Sequence, residues 1–99
     1  MNKLFSSSKY DGDLSKWNIS NVTKATNMFA CADYTGKNGD LSKWNISNVN
    51  NMISMFKNSN YNNDLSSWKI NDNCYSRNMF YYCPIENKYK PYKDDERID

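Results

Sequence analysis

The chain has 99 residues and a net charge of +2, enough for one small domain and too few for a second core. Only 38% of residues are apolar and seventeen are Asn, a balance that would mean disorder were the large apolar residues not regularly spaced. Histidine is absent, which removes the commonest general base, the commonest metal ligand and every Ser-His or Cys-His nucleophile, so the expected protein is not an enzyme and needs no metal or cofactor.

In chain order, residues 1–10, MNKLFSSSKY, read as the closing part of a repeat unit. Leu4-Phe5 precedes Met28-Phe29 by 24 positions, and Tyr10 follows Phe5 by five as Tyr34 follows Phe29. Fuller units follow at 11–34, 38–61 and 62–84. Asp13 to Phe29 reads DLSKWNISNVTKATNMF, Asp40 to Phe56 reads DLSKWNISNVNNMISMF, and Asp64 to Phe80 reads DLSSWKINDNCYSRNMF. The copies start 27 and then 24 residues apart, and a tandem period of that size predicts units stacked on their neighbours. Residues 85–99, IENKYKPYKDDERID, break the pattern and predict a terminal cap or loose tail.

Within a unit the apolar period changes. Trp44 and Ile46 are two apart, which predicts a short strand with Lys43 and Asn45 on its other face. From Val49 the spacing becomes three and four through Met52, Met55 and Phe56, which predicts a short helix capped by Ser47 or Asn48. Copy three has Asn73 and Ser76 where Val and Met are expected, so its helix should pack less well. Trp17, Trp44 and Trp68 are equivalent and predict a buried ladder. Asp11-Gly12, Asn38-Gly39 and Asn62-Asn63 supply turn chemistry before each DLS, and the extra Thr35-Gly36-Lys37 should loop out.

The phrase D-L-S-x-W-N-I-S-N-V, with N-M-x-x-M-F and an aromatic five residues on, resembles the repeat of BspA-type bacterial surface proteins, a divergent branch of leucine-rich repeats. Leu41-x-x-Trp44-x-Ile46 fits the leucine-rich L-x-x-L-x-L with Trp in the second slot. The resemblance implies a right-handed α/β solenoid of about three strand-plus-short-helix units, used for adhesion or protein binding without catalysis.

Outward strand positions would then form two rows, Lys16, Lys43, Ser67 and Asn18, Asn45, Lys69, and a protein partner is expected there. Self-association through the ends of the stack is the further expectation, since end units leave apolar surface and an unpaired edge. The basic residues form no concentrated stripe, so direct nucleic-acid binding is not predicted. Asp13, Asp40 and Asp64 recur once per unit beside Gly or Asn and are read as turn caps, not a calcium column. Three Cys without CxxC spacing predict reduced, structural thiols. No apolar run reaches the length of a membrane span, and the first residues lack the apolar stretch of a signal peptide. The expected location is cytoplasmic, or the cell surface if the chain is a piece of a longer adhesin. The other function to weigh is a small intracellular inhibitor from a mobile element, blocking a host nucleoprotein complex or enzyme by occupying its surface. Co-purification with such a complex would favour it, and binding to a host surface protein would favour the adhesin.

Overall fold

The residues expected to form a helix in copy two do turn inward: Val49, Met52 and Met55 are 1% exposed and Phe56 is fully buried. Their backbone, however, bonds in alternation. The N–H groups of Met55, Lys57 and Ser59 donate three residues back, to the carbonyls of Met52, Ser54 and Phe56. Between them, the N–H groups of Ser54, Phe56 and Asn58 donate to Arg77, Met79 and Tyr81 of the next copy, at 3.0, 2.9 and 2.8 Å. Copy one repeats this toward copy two, with Asn27, Phe29 and Cys31 donating to Ile53, Met55 and Lys57. The segment 1–10 repeats it again, with Lys3, Phe5 and Ser7 donating to Thr26, Met28 and Ala30.

A string of such turns needs left-handed residues at fixed places, because a turn with φ > 0 at its third residue lets the next turn begin at once. Positive φ accordingly recurs at Lys3, Asn27, Ser54 and Asn78, and four residues later at Ser7, Cys31, Asn58 and Tyr82. An eight-residue helix would be marginal on its own. Bonding every second N–H to the neighbouring copy replaces intrahelical bonds with contacts that also bring the side chains into register.

These findings overturn the expected architecture. The structure, a computed structural model, describes residues 1–93 and 96–98. Among them there is no α-helix, so the α/β solenoid of strand-plus-helix units does not form. Regular structure is confined to a three-residue 3-10 turn, Asn87–Tyr89, and three two-residue strands: β1 (Lys69–Ile70), β2 (Tyr92–Lys93) and β3 (Glu96–Arg97). They make one sheet in the order β1-β2-β3, parallel between β1 and β2 and antiparallel between β2 and β3. Isolated parallel bridges join Lys24 to Asn51 and Asn51 to Tyr75. The strand expected at Trp44 and Ile46 is absent as well. Both side chains are buried while Lys43 and Asn45 are exposed, but the Trp44 N–H turns back to the Leu41 carbonyl and the Asn45 side chain accepts the Ser47 N–H. The latter closes a turn where a helix cap was expected.

Side chains at equivalent positions lie one above another. The rings of Phe5, Phe29, Phe56 and Phe80 form a continuous stack with centroids 5.3, 5.3 and 5.4 Å apart and planes within 9° of parallel. Tyr34 and Tyr61 stack beside it at 5.6 Å. Tyr34 donates from its hydroxyl to the Gly39 carbonyl, and the Tyr61 hydroxyl accepts the Leu41 N–H. The indole N–H of Trp44 donates to the Leu14 carbonyl, and that of Trp68 to the Leu41 carbonyl, so each Trp closes its own layer onto the preceding one. Trp17 departs from the expected ladder: it is 42% exposed, whereas Trp44 and Trp68 are 5% and 3%. The reason is that residues 1–10 lie on the turn side of copy one and reach Trp17 with the Phe5 ring, 5.4 Å away, while no preceding layer offers its indole a Leu carbonyl.

Two local expectations are also corrected. Thr35 does not loop out: its N–H and hydroxyl both donate to the Asp11 carboxylate, and Gly36 is buried with φ 82°, against the Tyr61 ring. In copy three Asn73 is exposed as its polarity demands, and Cys74, one residue later, fills the core position in its place at 1% exposure. The register is regained at Tyr75, whose N–H donates to Asn50. Beyond copy three, the Leu65 N–H donates to Tyr89 and the Tyr92 N–H to Trp68, so the segment around 89–92 lies on the Leu and Trp side of copy three.

Burial of the stacked aromatics generates two tests. Trp44→Ala should cost about 3 to 5 kcal/mol in denaturant unfolding, and Trp17→Ala about 1 kcal/mol; equal costs would contradict the layering. Burial is also the main reason that the Tyr34 and Tyr61 hydroxyls are held far above the ordinary tyrosine range, and it raises the Cys74 and Cys83 thiols in the same direction. The unfolded chain therefore loses these protons first as pH rises, so stability is level through neutral pH. It should begin to fall above about pH 8.5 and steeply above about pH 10, by up to about 1.4 kcal/mol per pH unit for each tyrosine. Urea midpoints measured from pH 7 to 11 check this, and the loss above pH 10 should be smaller in Tyr34→Phe.

Candidate binding surfaces

The stacked turns leave two kinds of surface. One is the polar flank expected from the sequence. Lys16, Lys43, Ser67, Asn18, Asn45 and Lys69 are all exposed. Neighbouring copies meet there, since the Ser67 hydroxyl donates to the Ser42 carbonyl and the Trp68 indole to Leu41. With Ser67, three of the six are partly committed: the Asn18 and Asn45 side-chain oxygens accept the N–H groups of Ser20 and Ser47, closing turns. Other asparagines brace copy to copy on the same flank, Asn48 donating to the Ser20 carbonyl and Asn71 to the Ser47 carbonyl. Lys43 thus stands on a backbone braced by the copies before and after it, and Lys16 on one braced by copy two alone.

The three equivalent aspartates accept from Ser15, Ser42 and Ser66 two residues on, which is turn closure. Ser15 holds the Asp13 carboxyl below its ordinary range, with the Lys16 charge adding to the effect. Among the described residues, no three His, Cys, Asp or Glu side chains are grouped to hold a metal ion. The three cysteines are unpaired: Cys31 is exposed, Cys74 is buried, and Cys83 donates to the Tyr61 carbonyl.

The second surface is the turn edge of copy three. Tyr75, Tyr81 and Tyr82 are 67%, 47% and 75% exposed. The rings of Tyr81 and Tyr82 sit 4.2 Å apart, the Lys57 ammonium lies 5.8 Å from the Tyr81 centroid, and Asn78, Phe80, Tyr81 and Tyr82 line an open recess. Alignment of the copies carries the signal: Tyr81 and Tyr82 stand where copy two has Lys57 and Asn58 and copy one has Ala30 and Cys31. Aromatics appear at these positions only in the last copy.

Fold and surface together define a tandem-repeat protein built from stacked layers of turns. The chain belongs to the family described as Mycoplasma protein of unknown function, DUF285, whose model matches residues 1–91. No curated protein and no solved structure matches it. Among the described residues no helix is long and apolar enough to cross a membrane.

Proposed function

We propose that this chain is a non-catalytic protein-binding repeat module whose contact surface is the polar flank of Lys16, Asn18, Lys43, Asn45, Ser67 and Lys69. The observation that carries the reading is their common exposure on a braced backbone, while the residues alternating with them in copies two and three, Trp44, Ile46, Trp68 and Ile70, are buried. A partner meeting this flank loses little in ordering it, because the layers beneath are already fixed by bonds between copies. Three lysines suit a partner of acidic surface, and long-range attraction of that kind acts mainly on association rate. The likeness of the repeat to BspA-type surface proteins supports the same function class and adds adhesion as its setting.

Exchanging Lys43 and Lys69 for Glu together tests the proposal. Stability should stay within about 0.5 kcal/mol of the parent, as for other surface substitutions. Proteins captured specifically by the parent chain as bait should be lost with the double variant, and their association should slow as salt rises with the parent only. Capture of the same proteins at the same salt dependence by both baits would reject this flank as the site.

A further inference from the structure

In the turn segments the bonding that joins the copies has a direction, and it leaves the two ends of the stack unlike. There each layer donates alternate N–H groups to carbonyls of the next, whereas the bonds elsewhere, such as Asn50 to Thr23 and Asn62 to Thr35, run back to the preceding copy. At the far end the donors are Asn78, Phe80 and Tyr82, equivalent to Ser54, Phe56 and Asn58, and among the described residues nothing accepts from their N–H groups. At the near end the carbonyls of Asn2, Leu4 and Ser6 are equivalent to those of Thr26, Met28 and Ala30, and among the described residues nothing donates to them. The near end also exposes Leu4 at 49% and Trp17 at 42%, and the far end Tyr81 and Tyr82.

Tyr82 marks the same edge. It takes the left-handed backbone, φ 55°, that the turns impose at this place in every copy, and where the other copies have Ser, Cys or Asn it carries a bulky aromatic whose ring is 75% exposed.

We propose that the turn edge of copy three binds residues 1–10 of a second copy of this chain, head to tail. Asn78, Phe80 and Tyr82 donate to the second copy's Asn2, Leu4 and Ser6 carbonyls, as each earlier layer does to the next. The docked segment covers the recess lined by Asn78, Phe80, Tyr81 and Tyr82, with Leu4 on the Met79 side of it, the place that Met28 and Met55 hold in their own layers. Like ends cannot pair in this way, since two donor rows or two acceptor rows face each other without partners. The shapes are complementary as well. The segment around 89–92 lies on the Leu and Trp side of copy three, and on its turn side Met79 and Phe80 are buried while the edge residues Tyr81 and Tyr82 are exposed; residues 1–10 lie on the turn side of copy one and leave Trp17 42% exposed beside the Phe5 ring. Together the two half-layers make one whole layer. β3 lies on β2 where the second copy's Asn18 and Ile19 would run, so docking displaces a two-residue pairing, which makes the contact weak and concentration-dependent. A heterologous contact of this kind does not close, and its product is an open chain of protomers.

The test uses the full chain and two variants, each blocking one end. Leu4→Asp removes the near end and Tyr82→Asp the far end. Both positions are exposed, and Asp tolerates a left-handed backbone better than Tyr does; the near-ultraviolet spectrum of the aromatic stack verifies folding, and Tyr81→Asp replaces Tyr82→Asp should the latter unfold. In sedimentation velocity the parent chain should grow from 11.6 kDa to masses beyond a dimer as its concentration rises to about 1 mM. Each variant alone should remain monomeric, and an equimolar mixture of the two should stop at a dimer, because one open end of each kind remains. A parent chain that stays monomeric, a dimer formed by either variant alone, or a mixture that stays monomeric would overturn the proposal.

Discussion

The division of backbone N–H groups between two tasks governs everything else in this molecule. In the turn segments of residues 1–10 and of copies one and two, one N–H closes a turn within its own segment and the next crosses to the following copy, as with Met55 to Met52 and Phe56 to Met79. A helix would assign all of them to itself. Because half of the bonds run between copies, equivalent residues are held in register about one backbone spacing apart. The phenylalanine rings can then lie at 5.3 to 5.4 Å with nearly parallel planes, and the left-handed residues must recur at the same two places in each layer. So low an apolar content suffices because almost every large apolar residue of the two inner layers is stacked above and below.

Much of this was legible in the sequence. The copies, the inward face of Val49, Met52, Met55 and Phe56, the turn-capping aspartates and the outward lysines all follow from spacing and residue chemistry. The helix did not follow, because an apolar period of three and four reports which side chains face inward and says nothing of where the N–H groups bond. A run of turns three residues long places the same side chains inward. Trp17 was misread for a related reason: equivalence in sequence implies equivalent burial only when a layer with a Leu carbonyl lies beneath, and copy one has none there. Cys74 was missed since the copies align without a gap, while the chain shifts locally by one residue to bring a thiol inward in place of Asn73.

The same layering separates the surfaces by kind. On the flank, side chains repeat from copy to copy and their backbone is braced by asparagine bonds such as Asn48 to Ser20 and Asn71 to Ser47. At the ends, alternate backbone groups of the turn segments have no partner among the described residues, and Tyr81 and Tyr82 stand exposed at one of those edges, that of the final layer. Tyr89 and Tyr92 are instead half-buried on its Leu and Trp side.

The bonding between copies can be observed directly through scalar coupling across hydrogen bonds in isotopically labelled protein. The Phe56 amide nitrogen should correlate with the Met79 carbonyl carbon, and the Phe29 nitrogen with the Met55 carbonyl carbon, while Met55 correlates with Met52. Correlation of the Phe56 nitrogen with the Met52 carbonyl carbon, four residues back in its own copy, would mean a helix and would contradict the layered arrangement of turns.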